Sequence, residues 1–161
     1  KAYPKSKFTG FDYHDGSIAS ARASAKQQSL HDAVKFEVSA AAAMPGSGYD
    51  LVTCFDCLHD MGDPVGAARH IRKALAPGGT WMIVEPIAGD DTAANLNPVG
   101  RIYYSASLFC CVPASLSQEV GLGLGAQAGE KRLTEVLHEA GFTQVRRAAQ
   151  TPFNMVLEAR A

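Results

Sequence analysis

With 161 residues, a hydrophobic fraction of 47% and 15 Lys and Arg against 16 Asp and Glu, the chain has the size and composition of one globular domain with a real core. The near-balanced charge supplies no basic field for nucleic acid and no polybasic patch for a membrane surface. No apolar run reaches the roughly eighteen residues of a membrane span, and Lys1-Ala2-Tyr3-Pro4-Lys5 lacks the apolar core of a signal peptide, so the expectation is a cytoplasmic protein.

Taken in order, Phe8-Thr-Gly-Phe-Asp12 is a short β-prone run that ends in a carboxylate, and Tyr13-His14-Asp15-Gly16 leads from it into an Ala-rich helix from Ser17 to about Gln28. A strand that ends in Asp and turns into a helix presents a carboxylate to the hydroxyls of a ribose. Asp12 is thus either a ribose ligand or a helix cap, a job for which Asp15 is equally well placed. Val34-Lys-Phe-Glu-Val38 alternates as a half-buried strand, and the Ala run from Ala40 to Ala43 can meet a ligand only through backbone or small apolar contacts.

The stretch from Tyr49 to Pro64 is the chemical centre. An apolar strand from about Asp50 to Phe55, expected to be a buried parallel strand, ends in Asp56-Cys-Leu-His59-Asp, and Asp63-Pro64 then supplies an N-cap and a first helical proline. Val65, Ala68, Ile71 and Leu75 recur at helical spacing up to Pro77-Gly78-Gly79, and Thr80-Trp-Met-Ile-Val-Glu85 is a further buried strand ending in a carboxylate. Alternating strand and helix predict a parallel sheet with right-handed crossovers, whose ligands bind beyond the strand carboxyl ends, where Asp12, Asp56, His59 and Glu85 belong. Cys54, Cys57, Cys110 and Cys111 lack the spacing of two ligand pairs and read as packing residues, with no metal or redox role.

From Ile87 to Gly129 the periodicity lapses into a long, partly helical segment, read as a lid or a binding wall with Tyr103, Tyr104 and Phe109 as its aromatic group. Gly121, Gly123 and Gly125 follow no strand and precede no basic P-loop ending, so close packing is preferred to a phosphate cradle. Lys131 to Ala140 is an amphipathic helix, and 142–149 and 152–159 are two strands at hairpin spacing that close the sheet as an antiparallel pair.

The ordered set Phe-x-Gly-x-Asp at 8–12, Tyr-Asp-Leu-Val at 49–52, Leu-His-Asp at 58–60, Leu-Ala-Pro-Gly-Gly at 75–79 and Ala-Gly-Phe at 140–142 resembles the class I S-adenosylmethionine-dependent methyltransferases over nearly the whole chain. Bacterial proteins with an N-terminal winged-helix domain and a C-terminal methyltransferase domain are the nearest match. The resemblance implies an α/β, Rossmann-like sheet in the order 3-2-1-4-5-7-6, with Asp12, Phe55 and Glu85 closing strands 2, 4 and 5. It further implies that the first strand and its Gly-x-Gly-x-Gly loop precede Lys1, so that residues 1–161 are the C-terminal part of a single methyltransferase domain with its wall or lid at about 87–129. A central strand cannot be omitted without exposing buried backbone groups.

In this family's terms Asp12, with Tyr13 beside it, meets the cofactor ribose. Ser39 and Ala40 flank the adenine, where this chain lacks the usual acidic residue, and Phe55 and Asp56 line the methionine part. Leu58-His59-Asp60-Met61-Gly62-Asp63 resembles the Leu-His-Asp-Trp-x-Asp element of small-molecule O-methyltransferases, with Met61 in place of Trp. His59 then matches the general base and Glu85 the carboxylate that orients it. Glu130 is considered as a second carboxylate, although its spacing does not match. The expected partners are S-adenosylmethionine and a small acceptor held by Tyr103, Tyr104 and Phe109, with a homodimer kept open. Two rival readings are a non-catalytic dimerisation or regulatory module and an NAD-dependent dehydrogenase, whose cofactor ribose Asp12 suits equally well.

Overall fold

The computed structural model describes residues 2–161, which divide into two compact units, one up to Gly46 and one from Ser47 to Ala161. The first is a βαβ unit: β1 (Phe8–Asp12), α1 (Asp15–Gln27) and β2 (Val34–Val38), with β1 and β2 parallel and in register from Phe8 against Val34 to Asp12 against Val38. Helix α1 buries Ile18 and Ala25, and its Arg22 guanidinium donates to the Phe36 carbonyl at 3.0 and 2.6 Å, fastening helix to strand. Gly10 is where the Phe36 ring crosses β1, since a Cβ there would lie 2.7 Å from that ring.

The second unit is a four-stranded sheet in the order β3-β4-β6-β5. Strands β3 (Tyr49–Phe55) and β4 (Leu75–Pro86) are parallel, whereas β6 (Asn154–Arg160) runs antiparallel to both β4 and β5 (Gln144–Gln150). The two sheets reproduce the two flanks of the expected order, 3-2 and 4-5-7-6, with the antiparallel closing pair in place. Helices α2 (Pro64–Ala74) and α5 (Gly129–Glu139) bury Ala68, Ile71, Leu133, Val136 and Leu137, while the sheet buries Trp81, Ile83, Met155 and Leu157. Trp81 stacks obliquely on Phe142, with ring centroids 5.5 Å apart.

Two local expectations are corrected. Leu75 leaves the helix and joins β4 in extended conformation, because its pairing with Tyr49 outweighs the helical period that the sequence continues to that point. The expected burial of β3 fails as well: among the described residues it is the end strand of its sheet, paired with β4 alone, and Leu51 and Phe55 are 56% and 62% exposed.

The expected wall is largely helical. It comprises α3 (Pro98–Ala106), a π-helical turn at Ser107–Cys111 and α4 (Val112–Leu116). Pro113 has no N–H to give to the carbonyl four residues earlier, which is a reason for the wider turn just before it. Among the described residues no helix is long and apolar enough to cross a membrane.

Candidate active site

The site is built where the carboxyl ends of β3 and β4 meet the start of β6. Register places Phe55 opposite Val84 and Pro86 opposite Asn154, so the residues just past β3 stand beside the first residue of β6. Asp56 donates its amide to the Val84 carbonyl at 2.8 Å and then turns the chain with φ of 47°, uncommon for a non-glycine residue. Its Oδ1 accepts from the Asn154 side-chain amide at 2.9 Å.

That turn delivers Leu58–Asp60, a single 3₁₀ turn, over the end of β4. Glu85, 1% exposed, accepts from the Leu58 amide through Oε1 at 2.9 Å and from His59 Nδ1 through Oε2 in a very short contact. A carboxylate this deeply buried needs such partners, because a lone charge there would carry its full desolvation penalty. The bond also settles the ring: Nδ1 carries the proton toward Glu85, and Nε2 is left as the acceptor of the neutral imidazole. Burial pulls the His59 pKa down, but the Glu85 hydrogen bond and the charges of Glu85, Asp60 and Asp56 outweigh it and hold the ring above its ordinary 6.5. The sequence assignment of Glu85 as orienter of His59 thus corresponds to a direct contact.

His59 Nε2 lies 3.2 Å from Asp60 Oδ1, and a ring nitrogen of His59, a carboxylate oxygen of Asp60 and Cys111 Sγ all lie within 4.8 Å of one another. Burial, with the Asp60 carboxylate close by, pushes the Cys111 thiol up to about 11. Asp60 Oδ1 itself is shielded from solvent and has no hydrogen-bond partner among the described residues.

The wall segment grips this turn from outside. Gln118 donates to the Asp60 carbonyl at 2.8 Å and accepts from the Gly62 amide at 3.0 Å. Ser115, fully buried, donates to the Met61 carbonyl at 2.8 Å and accepts from Gly123 at 3.0 Å. Leu122 donates to the Gly62 carbonyl and Gly125 to the His59 carbonyl. The amides of Gly123 and Gly125 are therefore consumed within the protein, which bears out close packing over a phosphate cradle, and positive φ at Gly121, Gly123 and Gly125 lets the chain make that approach.

Of the wall aromatics, Tyr103 donates its hydroxyl to the Phe153 carbonyl at 2.8 Å, and burial together with the Asp56 charge raises its pKa. Tyr104 is 39% exposed and Phe109 80% exposed. Glu130 is not a second carboxylate for the base: Arg147 holds it with Nε at 2.7 Å and Nη2 at 2.6 Å, a two-pronged pair on β5. Ser115, Gln118 and Asn154 went unread, Asp60 was read only within the Leu-His-Asp motif, and Cys111 was read only as a packing residue. Ser115, Gln118 and Cys111 reach the His59 turn, and Asn154 reaches Asp56, through tertiary packing.

Cys54 and Cys57 are free, and a thiol–thiol hydrogen bond lowers the pKa of Cys54 while the same bond and burial raise that of Cys57. In the first unit, Asp12 closes β1 and its Oδ1 accepts from the His14 amide at 2.8 Å. His14, not Asp12 or Asp15, caps α1, with Nδ1 accepting from Ser17 at 3.1 Å, because the turn after β1 puts His14 at the N-cap position. Ser39 donates to the Asp12 carbonyl at 2.9 Å and its hydroxyl bonds the Ala40 carbonyl, while Tyr13 is 81% exposed.

The sequence model of one family, described as a methyltransferase domain, matches residues 1–81. A ubiquinone biosynthesis O-methyltransferase of Psychrobacter cryohalolentis is 32% identical over 78 residues, 47% of this chain and 30% of that protein. Among solved structures, PigF with SAH superposes with a TM-score of 0.75 at 18% identity, over 99% of this chain and 45% of that one. The O-methyltransferase NcsB1 from neocarzinostatin biosynthesis, in complex with S-adenosyl-L-homocysteine and 1,4-dihydroxy-2-naphthoic acid, gives 0.72 at 21% identity over 96% and 42%. The chain therefore spans less than half the length of these relatives.

Proposed function

This chain belongs to the methyltransferase-domain family, and from that premise we propose that it carries the methyl-transferring part of an S-adenosylmethionine-dependent O-methyltransferase acting on a small, partly aromatic acceptor. The observation that carries the reading is the buried Glu85–His59 pair, which leaves Nε2 of a neutral ring as a base at the strand carboxyl ends. S-adenosylmethionine supplies an electrophilic methyl group on a sulfonium, so the protein needs only to align an acceptor and remove one hydroxyl proton.

Each unit by itself offers groups suited to that cofactor. Asp12 keeps one carboxylate oxygen in its own turn and offers the other to ribose hydroxyls, with Tyr13 exposed beside it and the Ser39–Ala40 backbone for the adenine. Phe55 and Asp56 serve the methionine portion, with Asp56 steadied by Asn154. His59 Nε2 takes the acceptor proton, and Glu85 stabilises the imidazolium that results. Tyr103, its hydroxyl already engaged, contributes its ring to the acceptor wall with Tyr104 and Phe109. An acceptor with an aromatic hydroxyl agrees with the dihydroxynaphthoic acid bound to NcsB1.

Calorimetry on the protein expressed from its whole gene tests the cofactor: S-adenosylmethionine and S-adenosylhomocysteine should bind, and binding of NAD in their place would overturn the reading. His59→Gln should lower kcat by roughly 10²- to 10⁴-fold, the span of general-base catalysis, with S-adenosylhomocysteine affinity nearly unchanged. An unaltered rate removes His59 from the chemistry.

A further inference from the structure

We propose that His59 Nε2, Asp60 Oδ1 and Cys111 Sγ form a three-ligand site for one borderline-soft divalent cation of the zinc class, with a fourth coordination position left open. The argument begins with two acceptors that face each other. Because Nδ1 gives its proton to Glu85, the neutral ring presents a lone pair at Nε2, and Asp60 Oδ1 lies 3.2 Å away with no donor of its own. Two lone pairs at that distance repel unless a proton or a metal cation lies between or beside them, and the pair is thus a place a cation can take.

Zinc geometry suits the spacing. Ligand bonds of about 2.0 to 2.1 Å at a tetrahedral ion put nitrogen and oxygen about 3.3 Å apart, and a thiolate at about 2.3 Å sits about 3.6 Å from the nitrogen. The first separation is already present, and Cys111 Sγ, within 4.8 Å of a ligand atom of each residue, needs at most about 1.2 Å of closure. Glu85 behind His59 completes the carboxylate–histidine–metal arrangement that fixes the ring and raises its basicity. The mixed nitrogen, oxygen and sulfur set favours zinc over magnesium or calcium, which prefer oxygen alone. Asp60, with a side chain 43% exposed, is the side from which an ion can enter.

Binding breaks the Cys111 S–H bond: the thiol proton passes to buffer and the thiolate sulfur donates its pair to the metal, with no change of oxidation state. A bound ion also occupies the lone pair that the proposed base requires. This consequence rests on the methyl-transfer reading, so the site is tested without cofactor or acceptor.

Cobalt(II) or cadmium(II) titrated into the reduced protein should bind one ion per chain and produce a thiolate-to-metal charge-transfer band. Cys111→Ser should abolish the band and His59→Gln should weaken binding at least about tenfold, whereas Cys110→Ser and the Cys54→Ser/Cys57→Ser double variant should retain both. In the unmodified protein, zinc should slow alkylation of Cys111, followed by peptide mass spectrometry, and magnesium should not. A band that survives Cys111→Ser, a band lost with Cys54 and Cys57, or a Cys111 alkylation rate indifferent to zinc would each overturn the site. None of these readouts depends on methyl transfer, so their failure leaves that reading where it stands.

Discussion

Glu85 uses one oxygen for the Leu58 amide and the other for the His59 ring, so its replacement by Gln probes the tautomer of the histidine with little change in shape. The glutamine carbonyl can keep the Leu58 bond, but its NH₂ group then faces Nδ1, which must become the acceptor, and the ring proton moves to Nε2. A base that already holds its proton cannot take another. Glu85→Gln should therefore lower kcat by a factor comparable to His59→Gln, again roughly 10²- to 10⁴-fold, and a rate within about threefold of the parent would sink the orienting role. The pH dependence follows from the same pair. Since the His59 pKa is raised above 6.5, the base is neutral only above that value, and kcat should climb with pH along a limb whose midpoint lies above 6.5. The sign for stability is opposite: a folded-state pKa above the unfolded one means that His59 stabilises fully below about 6.5, and that contribution is lost as pH rises through the folded value. Urea midpoints measured across this window should fall as kcat rises, and the His59→Gln protein should show neither trend.

The 3₁₀ turn that carries His59 has only three residues and no side-chain cap, so its position depends on the segment packed against it. Ser115 is the most exacting of those contacts, because one hydroxyl donates to the Met61 carbonyl and accepts from the Gly123 amide in a fully buried place. Ser115→Ala leaves both backbone groups without that partner and should cost about 1 to 3 kcal/mol, seen as a lower urea midpoint at unchanged m-value. Hydrogen exchange should quicken at Gly123, and an unmoved midpoint would show that water replaces the hydroxyl without loss. The capped start of the neighbouring helix, by contrast, was legible in Asp63-Pro64: Asp63 accepts from Gly66 at 2.7 Å and Pro64 is the first helical residue. A cap is legible because its partners are three residues apart. The approach of Ser115 and Cys111 to the His59 turn is not, because it depends on how a π-helical turn docks some fifty residues away in sequence.

At the scale of the chain, strand identity was readable wherever an apolar run was bounded by turn residues, as at Phe8–Asp12 and Val34–Val38, and the antiparallel closing pair followed from two strands at hairpin spacing. Burial was harder to read, because an apolar run does not say how many neighbours its strand will have. Strand β3 shows the difference: it pairs with β4 on one side only and leaves Leu51 and Phe55 exposed on an apolar strand at the end of the sheet. An end strand of this kind is a template for pairing with another chain, and natural sheets blunt such strands with lysine. The 161-residue chain should therefore self-associate in a concentration-dependent way when followed by sedimentation velocity. Leu51→Lys should shift the distribution toward monomer, and because Leu51 is 56% exposed its effect on folding stability should stay within about 0.5 kcal/mol. An unchanged distribution would place the association surface elsewhere than β3, and a large loss of stability would mean that Leu51 packs against something in solution.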